Sequence, residues 1–474
     1  MNKHQIWEYV EKLEPRFNAL ADQVWSTPET CYAEKKSMEA HSKELENNGF
    51  KIKRNVANIP TAIIGESGSK GPIIAFLGEY DALAGLSQEP DIFEEKPIKK
   101  GGNGHGCGHN LLGSASMQAA VALRNWIVAS GIDGVIRYYG CPAEEGGAAK
   151  AFMVREKAFD DVDIAISWHP GSLTGVIRGS SLANCRVDFT YEGRASHAAG
   201  SPHLGRSALD AVELMNVGVN YIREHMPEKA RIHYAIIDGG GISPNVVQSK
   251  AKVRYVVRDE STSKMLNLLE RVKKIAKGAA MMTETKMTAR VLAGVSNLIY
   301  NPTLGDVMQR NLELLGPPTF SKEEYIYAEK MQATLSTDDI KTAYEQAGIE
   351  PLHDKPLPES IVPANSPAKG IAGSTDVADV SWVVPTVQLW GANYAIGTPF
   401  HSWQMTAQGK SSIAIKGMTH AAMVMAATGA DVLLNKTLIK KAWSDLRSQI
   451  GEEGYISPLL RNSKPPIKDM APKS

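Results

Sequence analysis

Pro72-Ile73-Ile74-Ala75-Phe76-Leu77-Gly78-Glu79-Tyr80-Asp81 is the stretch on which the fold turns. Its apolar run is unbroken, too short for a helix and bounded by glycine. That is the mark of a strand buried on both faces rather than one alternating between core and water. Two acids follow at once, where the strand must leave the sheet. Downstream, Val135–Tyr139, Val162–Trp168 and Pro385–Trp390 repeat the pattern, with helical periodicity between them at Leu111–Ser130 and later at Ser411–Leu434. Upstream, Ile6, Val10, Leu13, Phe17, Leu20 and Val24 recur at helical spacing, and a second helix over Lys35–Asn47 stops at Gly49. Strand–helix alternation of this kind predicts an α/β layer with helices on both faces.

One stretch breaks the rhythm. Strand Cys185–Tyr191, helix Ser207–His225, strands Arg231–Ile237 and Ala251–Arg258, helix Ser261–Met281 and strand Lys286–Leu292 give the order βαββαβ of a ferredoxin-like unit. The alternative is an extension of the main sheet. The expected division is therefore 1–183 for the first part of a catalytic domain, 184–297 for an inserted domain and 298–474 for the second part. From Ser457 onward the Pro-, Lys- and Ser-rich chain is expected to be a loosely ordered tail.

The composition narrows the partners. Lys+Arg and Asp+Glu balance at 52 each, so no overall field draws nucleic acid or an anionic membrane. No stretch reaches the roughly 18 consecutive apolar residues of a membrane span, and the amino terminus lacks the apolar run of a signal peptide. Four cysteines in 474 residues do not make a disulfide framework, which points to a reducing, cytoplasmic compartment. A small-molecule substrate is the expectation.

Two clusters carry chemistry. Gly104-His105-Gly106-Cys107-Gly108-His109-Asn110 sets thiolate and imidazole ligands among glycines at a helix entry, where backbone can approach an ion closely. His105 competes with His109 as the ligand. A phosphate-binding helix entry is the rival reading, but the P-loop lysine and the dinucleotide glycine spacing are missing. Pro142-Ala143-Glu144-Glu145-Gly146-Gly147 ends a strand with adjacent carboxylates, one able to hold a metal while the other takes a proton from water. Alone, each cluster has a bland explanation, a turn or a solvated acidic loop. So do His169 in Trp168-His169-Pro170 and His401 in Thr398-Pro399-Phe400-His401, as single structural histidines. Their common placement beyond the carboxyl ends of strands, where open α/β sheets put their sites, joins them into one centre. Glu79 and Asp81 either join that centre or orient a ligand.

The segments GEYDALAGL, NGHGCGHNLLG, GCPAEEGG, FMVREKAFDDVD, WHP, SHAAGSPHLGRSALDA, GGISPNVVQ, STDVADVSW and GTPFHSWQ span most of the chain in order. They resemble the co-catalytic metallopeptidase family of glutamate carboxypeptidase, aminoacylases and auxin-conjugate hydrolases, and most nearly its aminobenzoyl-glutamate hydrolase branch. The resemblance implies a mixed-sheet, zinc-peptidase-like catalytic domain with an inserted dimerisation or lid domain. It implies that Cys107, His109, Glu145, His169 and His401 hold two divalent ions, with Glu144 as general base. Family habit favours Mn2+, whereas the thiolate leans toward Zn2+. His197 in Ser196-His197-Ala198-Ala199 would steady the oxyanion from a neighbouring subunit, and Asn245 and Arg258 would grip the substrate carboxylate; for Arg258 a surface ion pair is the alternative. Many relatives carry a His-x-Asp pair where this chain has Glu79-Tyr80-Asp81, which leaves the roles of those acids open; the expectation is that both lie behind the ligands and orient them. The implied reaction is amide hydrolysis of an N-acyl amino acid, p-aminobenzoyl-glutamate foremost, with a dipeptidase, another aminoacylase or a non-catalytic partner subunit as alternatives. The implied assembly is a homodimer through the inserted domain or a hetero-oligomer with a homologous chain.

Overall fold

In the computed structural model, which describes residues 4–351, 355–367, 370, 373–452 and 454–470, the run after Pro72 is the middle of a mixed sheet. The strands in chain order are β1 (Lys51–Arg54), β2 (Ile63–Ser67), β3 (Ile73–Glu79), β4 (Val135–Cys141), β5 (Ile164–Gly171), β6 (Gly175–Val176), β7 (Ala183–Glu192), β8 (Arg231–Asp238), β9 (Lys250–Asp259), β10 (Lys286–Val295) and β11 (Thr386–Ala392). The larger sheet has the order β1-β2-β4-β3-β5-β11-β6. Its four inner strands, β4, β3, β5 and β11, run parallel, and β1, β2 and β6 attach antiparallel at the edges. The inner strands are the apolar runs legible in the sequence. The edge strands were not, because Lys51–Arg54 is charged and exposed and Gly175–Val176 is only two residues long.

Successive β3 side chains leave on opposite faces. Ile74 and Phe76 join one core with the helices His4–Trp25, His109–Ser130 and Ser412–Leu434; Ala75 and Leu77 join the other with Ala149–Arg155. Helix Ser412–Leu434 is long and apolar enough to cross a membrane, but most of it is buried in the first core. Helix His109–Ser130 lies unusually close to β3. A side chain at Gly113 would collide with the Glu79 carbonyl and the His41 imidazole, so glycine there sets the approach that aims the helix start at the strand end.

The smaller sheet, β10-β7-β9-β8, is antiparallel throughout. Together with helices Ala208–Ile222 and Thr262–Thr283 it has the ferredoxin-like arrangement. Odd-numbered residues of its central strands, such as Val187, Phe189, Val253 and Tyr255, pack under those helices. The opposite face carries Asn184, Arg186, Asp188, Arg254 and Arg258. The two connections to the larger domain lie side by side, since the Leu298 amide donates to Ser181 Oγ at 3.1 Å.

The terminus departs from its sequence-based expectation. Leu459 is buried, Ile467–Met470 forms a short helix packed on the second core, and Asp469 pairs with Arg290 at 2.8 Å. A few apolar residues spaced widely in a Pro/Lys background suffice to dock a segment whose average composition is that of a tail.

Candidate metal centre

The parallel strands determine where the chemistry gathers. β4 lies on one side of β3 and β5 on the other, so the order of strand addition reverses about β3 and a crevice opens beyond its carboxyl end. Into that crevice β3 delivers Glu79 and Asp81, the turn after β4 delivers Glu144 and Glu145, and β5 delivers His169. The loop after β11 delivers His401, and the start of helix His109–Ser130 delivers Cys107 and His109. Three sets of donor atoms converge: Cys107, His109 and His169; Cys107, Glu145 and His401; Glu79, His109 and Glu144. Within each set the ligand atoms lie within 4.8 Å of one another. Cys107 and His109 are each shared by two sets, which is the pattern a pair of adjacent ions requires.

The geometry makes each ligand atom explicit. His169 Nδ1 lies 2.9 Å from the Pro170 carbonyl, which accepts its N–H and so leaves the lone pair on Nε2, 3.6 Å from Cys107 Sγ. Burial, aided by the nearby His109 charge, pushes this imidazole down to about 4, so it is neutral at pH 7. His109 presents Nδ1 to Asp81 Oδ1 at 3.0 Å and turns Nε2 toward Glu79 Oε2 at 3.3 Å. Asp81 also accepts from the Glu145 amide at 2.9 Å. It therefore acts behind the ligands, fixing the His109 ring and the acidic turn together, a carboxylate–histidine arrangement typical of metal sites. His105 is turned away, its Nε2 against the Val24 carbonyl at 3.1 Å, which separates it from His109.

The donor atoms of this cluster suit a cation. Glu79 Oε2, His109 Nε2 and Glu145 Oε1 are buried without a hydrogen-bond partner, and His401 Nε2 stands 3.3 Å from Glu145 Oε1. Unpaired buried acceptors facing one another are costly unless an ion lies between them. Thiolate, imidazole and carboxylate donors fit divalent zinc- or manganese-like ions. His401 is held in the left-handed region (φ 60°), with its amide bonded to the Gly106 carbonyl at 2.8 Å. Strain of that kind in a non-glycine residue is characteristic of functional positions.

The two adjacent glutamates are not equivalent. Burial, then the charges of Glu79 and Glu145, hold the Glu144 carboxyl well above the usual range. Glu145, although burial opposes it, is held below that range by the His401 imidazole beside it and the charge of His109. One of the pair thus favours carrying a proton and the other favours its charge.

Sequence reasoning missed the supports. Lys150, wholly buried, bridges Glu79 Oε1 at 2.5 Å and Asp376 Oδ1 at 2.6 Å. Glu34 accepts from the amides of Tyr32 at 2.8 Å and Ala143 at 2.9 Å, and Tyr32 donates to the Gly147 carbonyl at 2.7 Å, so the segment before helix Lys35–Asn47 braces the acidic turn. Lys150 and Glu34 sit in stretches that read as ordinary helix starts, and no local spacing marks them.

The inserted domain holds the remaining candidates. His197 and Asn245 are exposed and lie on two loops zipped together: Ala198 donates to the Asn245 carbonyl at 2.9 Å, and His197 bridges Val246. His197 Nδ1 accepts from the Ala199 and Gly200 amides at 3.2 and 2.9 Å, and neither residue bonds to the metal-ligand cluster within this chain. Arg258 is half-buried and donates to Ser374 Oγ at 3.1 Å, two residues before Asp376. Among the described residues it has no acid partner, contrary to the surface ion-pair alternative.

A mixed-sheet hydrolase domain carrying a ligand set for two ions, with an inserted ferredoxin-like domain, defines a class, and comparison with known proteins gives its family. The peptidase dimerisation domain family matches residues 180–281. The chain is 44% identical, over 98% of each sequence, to a subunit of the p-aminobenzoyl-glutamate hydrolase of Escherichia coli. It is 26% identical to the Xaa-Arg dipeptidase of Mus musculus over 96% of this chain and 94% of that one. A Bacillus subtilis dinuclear metal binding peptidase of the M20 family superposes with a TM-score of 0.52 at 15% identity, covering 88% of this chain and 99% of that chain. This chain belongs to the M20 family of metallopeptidases and is a hydrolase.

Proposed function

We propose that the chain hydrolyses the amide bond of N-acyl amino acids, with p-aminobenzoyl-glutamate as the preferred substrate, releasing p-aminobenzoate and glutamate. The observation that carries the reading is the converged ligand set with Glu144 and Glu145 adjacent on one turn beside it, in a chain so similar to the E. coli hydrolase. Cys107, His109, Glu145, His169 and His401 hold two divalent ions, Mn2+ or Zn2+, which when bound polarise the scissile carbonyl and make water a better nucleophile near neutral pH. Glu144 takes the proton of the attacking water and gives it to the leaving amine nitrogen as the C–N bond breaks. Arg258 with Asn245 receives the amino-acid carboxylate, for which a guanidinium offers two parallel hydrogen bonds.

Assembly is part of the proposal. β8 is an open sheet edge, with Tyr234, Ile236 and Ile237 exposed along it and Leu214, Val217 and Tyr221 exposed on the adjoining helix. Unpaired edges and apolar side chains of this kind favour pairing with a second chain, either a copy or a homologous subunit. His197 then acts on the partner's site, where its imidazole steadies the oxyanion. The deciding assay incubates the purified chain, reconstituted separately with Mn2+ and Zn2+, with p-aminobenzoyl-glutamate and measures p-aminobenzoate release. Release with either ion is expected. No release with either, together with turnover of a different N-acyl amino acid, would overturn the substrate assignment.

A further inference from the structure

The cationic face of the inserted sheet contains more charge than one carboxylate needs. Arg186 on β7 and Arg254 and Arg258 on β9 share it, and Arg186 sits diagonal to Arg258, since Asn184 is the direct partner of Arg258 and Val256 that of Arg186. One of the three is neutralised: Arg254 makes a forked pair with Asp188 at 2.7 and 3.1 Å, which occupies the acid this face offers. Arg186 is different. Among the described residues its guanidinium makes no hydrogen bond and no ion pair, although it is half-buried. The groups that could balance it are weak, because burial keeps the neighbouring Cys31 thiol protonated and Asp188 is already engaged. Burial and the adjacent cations Arg254 and Arg258 even oppose its charge.

Its position is equally specific. The guanidinium rests against Gly146, and any side chain there would collide with it; Gly146 is at φ 118°, which favours glycine independently. Arg186 therefore reaches from the inserted domain onto the turn that carries Glu144 and Glu145, at the edge of the reacting centre. A half-buried, uncompensated guanidinium costs stability unless an anion comes to it.

We propose that Arg186 is a specificity-determining residue that binds the side-chain carboxylate of an acidic leaving amino acid while Arg258 binds its α-carboxylate. This rests on the reading of the chain as an N-acyl amino acid hydrolase, but not on the identity of the acyl group. Two guanidinium groups side by side match a dicarboxylate such as glutamate and leave one cation unsatisfied when the side chain is neutral.

The test is binding, so that it stands apart from turnover of any one substrate. Calorimetry on the Mn2+-reconstituted chain compares N-acetyl-glutamate with N-acetyl-glutamine for wild type, Arg186→Gln and Arg186→Lys. Wild type is expected to prefer the glutamate compound by about ten- to a hundredfold, the range of one charge-assisted contact. Arg186→Gln should abolish that preference while leaving affinity for N-acetyl-glutamine unchanged, and Arg186→Lys should retain part of it. Equal affinities in wild type, no binding of N-acetyl-glutamate, or equal weakening of both compounds in Arg186→Gln would overturn the proposal, the last because it indicates a clamp between domains. If p-aminobenzoyl-glutamate is not cleaved yet the Arg186-dependent preference is present, the acyl group is wrong and the role of Arg186 stands. Cleavage without the preference leads to the opposite conclusion.

Discussion

The crevice beyond β3 and the face of the inserted sheet hold charge in opposite ways. In the crevice, acids outnumber cations and are packed at close range. Glu79, Asp81, Glu144 and Glu145 crowd around His109, and several acceptor atoms are buried with nothing to accept from. On the inserted sheet, guanidinium groups outnumber carboxylates and are half-open to the cleft. The first region presents a donor set that suits metal cations, and the second presents guanidinium groups that suit an anion. The difference teaches that the two domains divide the charge: acids concentrate in the catalytic domain and cations on the inserted one.

The largest test of the contrast falls on the acid pair. Glu144→Gln is expected to lower turnover by about 10²–10⁴-fold, the range for a positioned acid–base group, while elemental analysis still finds both ions. Loss of an ion would instead make Glu144 a ligand, an alternative its grouping with Glu79 and His109 makes concrete. The same variant probes the division between domains. His197→Ala chains mixed with Glu144→Gln chains should recover roughly a quarter of wild-type activity, as random pairing in a two-fold dimer predicts. No recovery after confirmed subunit exchange would place His197 outside the partner's site.

A second, smaller effect sharpens the crevice itself. Lys150→Met leaves Glu79 and Asp376 buried without their shared cation and should cost about 3–5 kcal/mol in urea unfolding. A loss below about 1 kcal/mol, within the range of an exposed pair, would show that the acids are relieved by other means. A last test lies at the junction of the two regions. Asp379 accepts from Tyr455 at 2.7 Å and from Ser296 Oγ at 3.0 Å, where the chain leaves the inserted domain, and burial pushes its carboxyl up to about 7. The native state therefore keeps this proton to about pH 7, whereas the unfolded chain releases it near the ordinary value of 3.8. Its contribution is complete at acid pH and is lost as the pH rises through that window, by up to about 1.4 kcal/mol per pH unit. Stability curves of wild type and Asp379→Asn should accordingly differ in slope between about pH 4 and 7; parallel curves would refute the assignment.

The amino-acid order by itself determined the parallel core, because an unbroken apolar run such as Ile73–Leu77 is intelligible only as a doubly buried strand. It also determined the βαββαβ insert, whose alternation of period two and period 3.6 is local, and the ligand clusters, which lie in short contiguous segments. What only the tertiary structure decided is everything held together by long-range contact. His109 was separated from His105 by which carbonyl and carboxylate each ring meets, and Asp81 was placed behind the ligands by its bonds to His109 and the Glu145 amide. Lys150 joined Glu79 and Asp376, which lie 71 and 226 residues from it along the chain, and Arg186 came to rest on Gly146 from another domain. Periodicity reports the environment of a residue's own segment. Pairing of charges depends on distances between segments that chain spacing does not encode, so the supports and the cationic face became visible only once the fold had brought them together.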